Sequence, residues 1–307
     1  MGRYIAQDPR SRGVSSPEIS SDRDSIECPG TAKVRSAHGA NSNVESKVTV
    51  QDDRLRKDLA SRHEAESEFH DRKYGRGEGF PRHYAVHPTY PVYLRMLKMT
   101  GDLAGKQVLE YGCGHGGITR DLAQNGAMVS TFDISAEAVN KTHQMLASAG
   151  LADRCRIAQM GAERLDYPDE SFDMAVGFAI LHHLDLKLAI TELYRVLRPG
   201  GVAYFAEPLG TNPLINLYRR LTPQYRTEDE EPLNLKALAP LLSRFRKVEH
   251  SDYYVTALAA IALAYLPFGS RFYPSVNRQL MKLDDGLLRW FPGLGWLAWY
   301  TILTLRK

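Results

Sequence analysis

Residues 108–117 read Val108-Leu109-Glu110-Tyr111-Gly112-Cys113-Gly114-His115-Gly116-Gly117, an apolar run that passes through one acid into a glycine-rich turn. The spacing predicts a strand over Gln107–Tyr111, then the turn, then a helix over Gly117–Gln124. Glycine at alternate turn positions tolerates backbone angles that other residues avoid, and it lets a ligand lie directly against the main chain. The helix behind the turn starts with unpaired N–H groups and a partial positive charge, which suits a carboxylate. Glu110, two residues before the first glycine, suits an ammonium. A ligand carrying both groups is an amino acid.

The same residues also satisfy a G-x-G-x-x-G fingerprint through Gly112, Gly114 and Gly117, in which a dinucleotide pyrophosphate lies against the turn. Glu110 would set like charge beside that pyrophosphate. This favours an amino acid joined to a nucleoside, S-adenosylmethionine, over a nicotinamide dinucleotide.

Outward from the turn, strands and helices alternate. Ala127–Phe132, Cys155–Gln159, Phe172–Phe178 and Gly201–Ala206 read as strands; Ala136–Ala149, opened by Ser135 as N-cap, and Lys187–Leu197 read as helices. Such spacing predicts right-handed crossovers and a parallel sheet covered on both faces. Lys247–Val255 and Leu297–Leu305 supply two further strands, with an apolar, aromatic stretch between them. The expected fold is therefore α/β, a doubly wound, mostly parallel seven-stranded sheet with a helical insertion between its last two strands. Residues 1–48 are rich in Ser, Asp, Arg, Gly and Asn with Tyr4 as their one aromatic, so a disordered tail is expected there. The charged helical pattern over Gln51–Tyr74, which includes Leu55, Leu59, His63 and Phe69, reads as a cap on the domain.

Charge and cysteine content narrow the function classes. With Lys+Arg 39 against Asp+Glu 36 the formal charge is +3, too balanced for a nucleic-acid binder read on charge alone. The three cysteines, Cys28, Cys113 and Cys155, form no C-x-x-C pair, and no secretory signal is read at the start. The expectation is a reduced, cytoplasmic compartment with neither a disulfide framework nor a bound metal. Tyr253–Phe268 and Leu287–Leu305 are apolar, but Pro267, Arg289 and Pro292 argue against a membrane span, which leaves room for a peripheral membrane contact only.

Four further features follow in order. Asp133 ends the second strand, where a carboxylate can accept from both ribose hydroxyls. Ala162-Glu163 lies shortly after the third strand. Ile180-Leu181-His182-His183-Leu184 follows the fourth strand, and Leu197-Arg198-Pro199-Gly200-Gly201 turns a helix into the fifth. With these, the chain resembles the class I S-adenosylmethionine-dependent methyltransferases of Rossmann-like fold, in particular the subgroup acting on small molecules, quinones and lipids. The resemblance is carried by about residues 85–210. It implies that Glu110 contacts the methionine ammonium and that Gly112, Cys113 and Gly114 lie beneath the methionine and ribose. It further implies that Asp133 holds the ribose, Ile134 packs on adenine, Ala162 and Glu163 approach the adenine edge, and Phe178 lines the floor. S-adenosylhomocysteine would be the product. Gly161 departs from the pattern, because many relatives carry there an aspartate for the adenine amino group.

The implied organisation is a tail over 1–48, a helical cap over 49–100 and a methyltransferase domain over 101–307, with acceptor-side insertions around 208–245 and 257–295. Candidate proton-handling groups are His182, beside His183, and Glu207, which follows the fifth strand. His115, His83, Tyr84, His87 and Tyr90 are further candidates to face the donor. Tyr218-Arg219-Arg220 and Arg226 would either meet an anionic acceptor group or form a charge-balanced surface with Glu228-Asp229-Glu230-Glu231. The aromatic density over Ala257–Tyr300, with all three tryptophans of the chain, suits a lid over a lipophilic pocket. The expected function is methyl transfer to a small lipophilic acceptor in secondary metabolism, such as a natural product, quinone or terpenoid. The alternatives are a macromolecular target or a nicotinamide-dependent oxidoreductase; no nucleic-acid partner is expected, and the oligomeric state is left open.

Overall fold

The computed structural model describes residues 59–72, 88–227 and 230–307, all within the unit Gln51–Lys307. The expected tail over 1–48 lies outside them, as do His83, Tyr84 and His87. Helix α1 spans residues 59–72. It is followed by α2 (Tyr90–Met99), β1 (Gln107–Tyr111), α3 (Gly117–Gln124), β2 (Met128–Asp133), α4 (Ala136–Ser148), β3 (Cys155–Gln159) and β4 (Phe172–Phe178). Then come α5 (Leu186–Val196), β5 (Leu197–Pro208), α6 (Pro213–Leu221), α7 (Leu235–Leu242), β6 (Lys247–Tyr253), a 3-10 segment (Ala257–Tyr265), α8 (Gly269–Trp290) and β7 (Tyr300–Arg306).

The seven strands form one sheet in the order β3-β2-β1-β4-β5-β7-β6. β1 to β5 run parallel, and β7 is antiparallel to both of its neighbours. Side chains alternate along each strand, so successive residues feed two separate cores. Leu109, Ala175, Phe205 and Leu303 pack on one face, while Val108, Val176, Tyr204 and Ile302 pack on the other. The first face holds Leu193, Val196 and Leu238 of α5 and α7, and the second holds Val92, Met96 and Met281 of α2 and α8. A side chain of this size, fully buried, contributes about 1.5–3 kcal/mol.

Local chemistry fixes the helix starts. Ser135, Asp185 and Asn212 each accept from a backbone N–H of the first turn of α4, α5 and α6, and Pro213 stands where its missing N–H costs nothing. Two strand starts move by more than one residue from the sequence reading. β5 begins at Leu197, because Leu197 already pairs with Phe172 across a register shift. β7 begins at Tyr300, because Pro292–Leu297 winds into a 3-10 turn.

Candidate active site

A cavity of about 260 Å³ opens at the C-terminal ends of β1, β2 and β4, where ligands bind in sheets of this type. The glycine turn forms one wall. Gly112, Gly114 and Gly116 hold φ of +74°, +49° and +75°, the left-handed region that a Cβ disfavours. Cys113 N–H donates to Phe132 O (2.9 Å) and Gly114 N–H donates to Asp133 Oδ2 (2.9 Å), which ties the turn to the end of β2. Asp133 Oδ1 accepts from Ser135 N–H at 3.0 Å. Both oxygens of Asp133 are thus oriented by the main chain, and its carboxylate lines the cavity beside Ile134.

Glu110, expected to meet the methionine ammonium, stands behind the turn. Its side chain is fully buried and takes no part in the cavity wall. Thr119 of α3 donates to Oε2 at 2.6 Å, and Oε1 has no hydrogen-bond partner among the described residues. Burial pushes this carboxyl up to about 8, against the Thr119 hydrogen bond. The strand alternation that sends Leu109 and Tyr111 into one core turns Glu110 toward α3 instead of the ligand crevice. Cys113 does line the cavity, and burial pushes its thiol well up.

The far wall is made by Met160, Gly161, Ala162 and Glu163 together with α1. A Cβ at Gly161 would lie 2.5 Å from His63 Cε1, so His63 of α1 fills the space beside this glycine. His63 Nε2 lies 3.0 Å from Glu163 Oε2, and Glu163 Oε1 accepts from Asp185 N–H at 3.1 Å. Burial pushes the Glu163 carboxyl up, but its hydrogen bonds, led by His63, hold it below the ordinary value. Arg62 donates to His183 O (2.8 Å) and Ser67 to Ile134 O (3.2 Å), so α1 is fastened across the cavity at both ends.

A second cavity, of about 510 Å³, adjoins the first and shares Phe178, Ala179, His70 and His183 with it. Phe178 stacks on Tyr300 with centroids 5.9 Å apart, and Ala179 holds a left-handed φ of +54°. Leu214 and Ile215 of α6, Leu258, Ile261 and Ala262 of the 3-10 segment, and Trp299 give this cavity an apolar wall. Tyr218, Arg219 and Arg226 also line it. Arg219 donates to Leu209 O and Arg226 to Arg219 O, so both guanidinium groups brace the main chain.

His182 stands on the polar side of the second cavity. Its Nδ1 lies 2.8 Å from Glu207 Oε2, and its Nε2 lies 4.0 Å from Glu230 Oε1, itself part of the cavity wall. Glu207 is fully buried; its Oε1 accepts from the backbone N–H groups of Ile180 and Leu181, each at 2.9 Å. With Oε1 accepting twice, Oε2 is the acceptor for Nδ1–H, which leaves the Nε2 lone pair on the cavity side. Glu207 therefore lines neither cavity and pairs with no arginine; it positions His182. Burial lowers the His182 pKa, the neighbouring His183 lowers it further, and Glu207 opposes both. Beside this pair, Glu66 lies 3.4 Å from His183 Nδ1 and 3.3 Å from His70 Nε2. Burial raises the Glu66 carboxyl, but hydrogen bonds from His183 and His70 outweigh it and hold the group well below its ordinary value. The ligand atoms of Glu66, His70 and His183 lie within 4.8 Å of one another, as do those of His182, His183 and Glu230, a spacing that would admit a divalent cation.

The family model described as a methyltransferase domain matches residues 109–205, the span from β1 to β5 that carries the glycine turn, Asp133 and His182. Residues 109–205 thus match a methyltransferase domain. The chain is 26% identical to a sterol 24-C-methyltransferase of Gibberella zeae over 225 residues, covering 73% of this chain and 53% of the relative. It is 33% identical to a sterol 24-C-methyltransferase of Yarrowia lipolytica over 138 residues, 44% of this chain and 35% of the relative. It is 29% identical to a ubiquinone biosynthesis O-methyltransferase of Pseudomonas fluorescens, covering 46% of this chain and 60% of that one. The chain thus spans about half or less of the length of the sterol relatives it matches. A Haemonchus contortus phosphoethanolamine N-methyltransferase 2, solved with S-adenosyl-L-methionine, shares the fold, with a TM-score of 0.53 at 21% identity over 70% of this chain and 51% of that one.

The first cavity brings together Gly112, Cys113, Gly114, Asp133, Ile134, Ala162, Glu163 and Phe178, as well as His115. Tyr90 lines a separate hollow beside Tyr93 and Asp121. Sequence reasoning missed Glu66 and His70 and saw His63 only as part of a cap. The available signal was their spacing, since His63, Glu66 and His70 at i, i+3 and i+7 share one helix face.

Proposed function

We propose that this methyltransferase transfers the methyl group of S-adenosylmethionine to a small, lipophilic acceptor. The carrying observation is the pair of adjoining cavities, one walled by the glycine turn and Asp133, the other with one apolar wall and His182 on its polar side, which meet at Phe178 and Ala179. The first cavity fits the donor in its chemistry: main chain laid bare by the glycines of the turn, an oriented carboxylate at Asp133, and the apolar Ile134 beside it. Asp133 would hold the ribose, Ile134 and Ala162 the adenine, and the main chain of 112–114 the methionine portion. Bound there, the donor supplies an electrophilic methyl group on a sulfonium.

The chain's own part is positioning and proton removal. Phe178 and Ala179 set the boundary at which donor and acceptor face one another, and positioning of this kind can contribute about 7–11 kcal/mol. His182, neutral and fixed through Nδ1, offers Nε2 to take a proton from an acceptor hydroxyl or amine. The sterol and quinone-pathway names of the relatives and the apolar wall of the second cavity both support a lipophilic acceptor.

Asp133→Ala tests the donor site. Hydrogen bonds to a charged group contribute about 1.5–3 kcal/mol, so S-adenosylhomocysteine binding should weaken at least about tenfold by calorimetry. Unchanged affinity would remove Asp133 from the site. The acceptor is read by mass spectrometry of a lipid extract incubated with the protein and methyl-labelled donor. Label appearing only in water-soluble products would sink the lipophilic reading.

A further inference from the structure

Helix α8 has three faces. Its buried row is Gly269, Tyr273, Asn277, Met281 and Asp284. A second row, Phe272, Val276, Leu283 and Trp290, lies roughly 100° around the helix from the first. That apolar row is exposed, Trp290 at 78% and Phe272 at 58%. A third row, Arg271, Arg278, Lys282 and Arg289, lies about another 100° on and is exposed as well. The acids of the helix do not neutralise it. Asp284 is buried on the backbone N–H groups of Val255, Thr256 and Ala257, and Asp285 is held bidentate by Arg95.

The apolar surface continues off the helix. Tyr265, Leu266 and Phe268 in the turn before α8 are exposed, Phe268 at 83%. Phe268 also holds a φ of +59°, a left-handed conformation that a bulky residue adopts only at a cost. On α6, Leu214, Leu217 and Leu221 stand at i, i+3 and i+7, 54–71% exposed, with exposed Arg220 beside them. Leu214 and Tyr265 both line the second cavity, so the apolar surface borders its mouth.

We propose that α6, the turn 265–268 and the two outer rows of α8 form a docking surface for an anionic lipid bilayer. An apolar row flanked by a parallel cationic row is the pattern of a helix lying in the headgroup plane, its rings at the acyl boundary and its cations against phosphates. A second copy of this chain fits less well, because a symmetric contact of α8 on α8 would bring four cations of each helix together while its two acids, Asp284 and Asp285, are already engaged. No helix of the described residues is long and apolar enough to cross a membrane, so the contact is peripheral. The proposal goes beyond the methyl-transfer reading and does not depend on it.

The full chain, co-sedimented with vesicles of equal phosphatidylglycerol and phosphatidylcholine, tests this. Binding should be several-fold weaker to phosphatidylcholine alone, and should fall likewise as salt rises from about 0.1 to about 0.5 M, where screening shortens. The pairs Phe272→Glu with Leu283→Glu, and Leu217→Glu with Leu221→Glu, should each weaken vesicle binding at least about tenfold. Unchanged S-adenosylhomocysteine affinity by calorimetry in the same variants would show that they remain folded. Absence of binding to the anionic vesicles, or binding indifferent to lipid charge, overturns the proposal. So does a dimer of the unaltered chain, seen by light scattering, that these substitutions split.

Discussion

Glu207 has no exposed surface, yet its two oxygens serve three donors, two of them backbone N–H groups that shape the turn after β4 and the third the imidazole of His182. This gives the residue scale a clear test. If His182 takes the acceptor proton, His182→Ala should lower kcat by about 10²–10⁴-fold for an acceptor that must lose a proton. Activity should fall as pH drops through the His182 pKa, since the protonated ring cannot accept. That limb belongs below the ordinary imidazole value of 6.5, because burial lowers the group. Glu207→Gln should shift the limb lower still, having removed the carboxylate that opposes the burial effect. A kcat profile whose acid limb stays put in Glu207→Gln would reduce Glu207 to a scaffold for the turn. Both residues were legible in the sequence as candidates, but their division of labour was not. A one-dimensional reading places Glu207 at a strand end without revealing that its side chain points back under the next turn.

Among the elements, the segment between β6 and β7 depends on one buried acid. Asp284 on α8 accepts from the N–H groups of Val255, Thr256 and Ala257 at 3.0, 2.7 and 3.1 Å and from the Thr256 hydroxyl at 2.6 Å. It thereby fastens α8 to the start of the 3-10 segment that walls the second cavity. Asp284→Ala would leave those buried donors unmet, at about 1–3 kcal/mol each before relaxation. A loss of about 3 kcal/mol or more in urea unfolding is expected, with acceptor turnover falling further than S-adenosylhomocysteine affinity. Equal losses in both would show that the segment is not separable from the donor side. The sequence revealed β1 to β4 to within a residue, since their apolar alternation is local. It did not reveal α1 as part of the site, because His63 meets Glu163 across 100 positions and no local pattern encodes that contact. The tryptophans mislead for a related reason. Aromatic density suggests a lid over a pocket, whereas Trp290 and Trp296 are 78% and 54% exposed and of the three only Trp299 lines the second cavity.

At the scale of the whole molecule, β7 is the latest strand in the chain and an interior one in the sheet, paired with β5 over Val202–Pro208 and with β6 over Lys247–Tyr253. Deleting residues 300–307 should therefore abolish cooperative unfolding instead of merely lowering the melting temperature, as circular dichroism against temperature would show. A sharp transition in the truncated chain would mean that β5 and β6 can close directly. The same placement sets a schedule for biosynthesis. From the end of β6 to the start of β7 the ribosome must add 300 − 253 = 47 residues, roughly 2–9 s at about 5–20 residues per second. Throughout that interval two strands wait with open hydrogen-bonding edges, the condition under which nascent chains pair with the wrong neighbour. Slower synthesis over 254–299 should therefore raise the share of newly made chain that aggregates, even with the finished protein's stability unchanged.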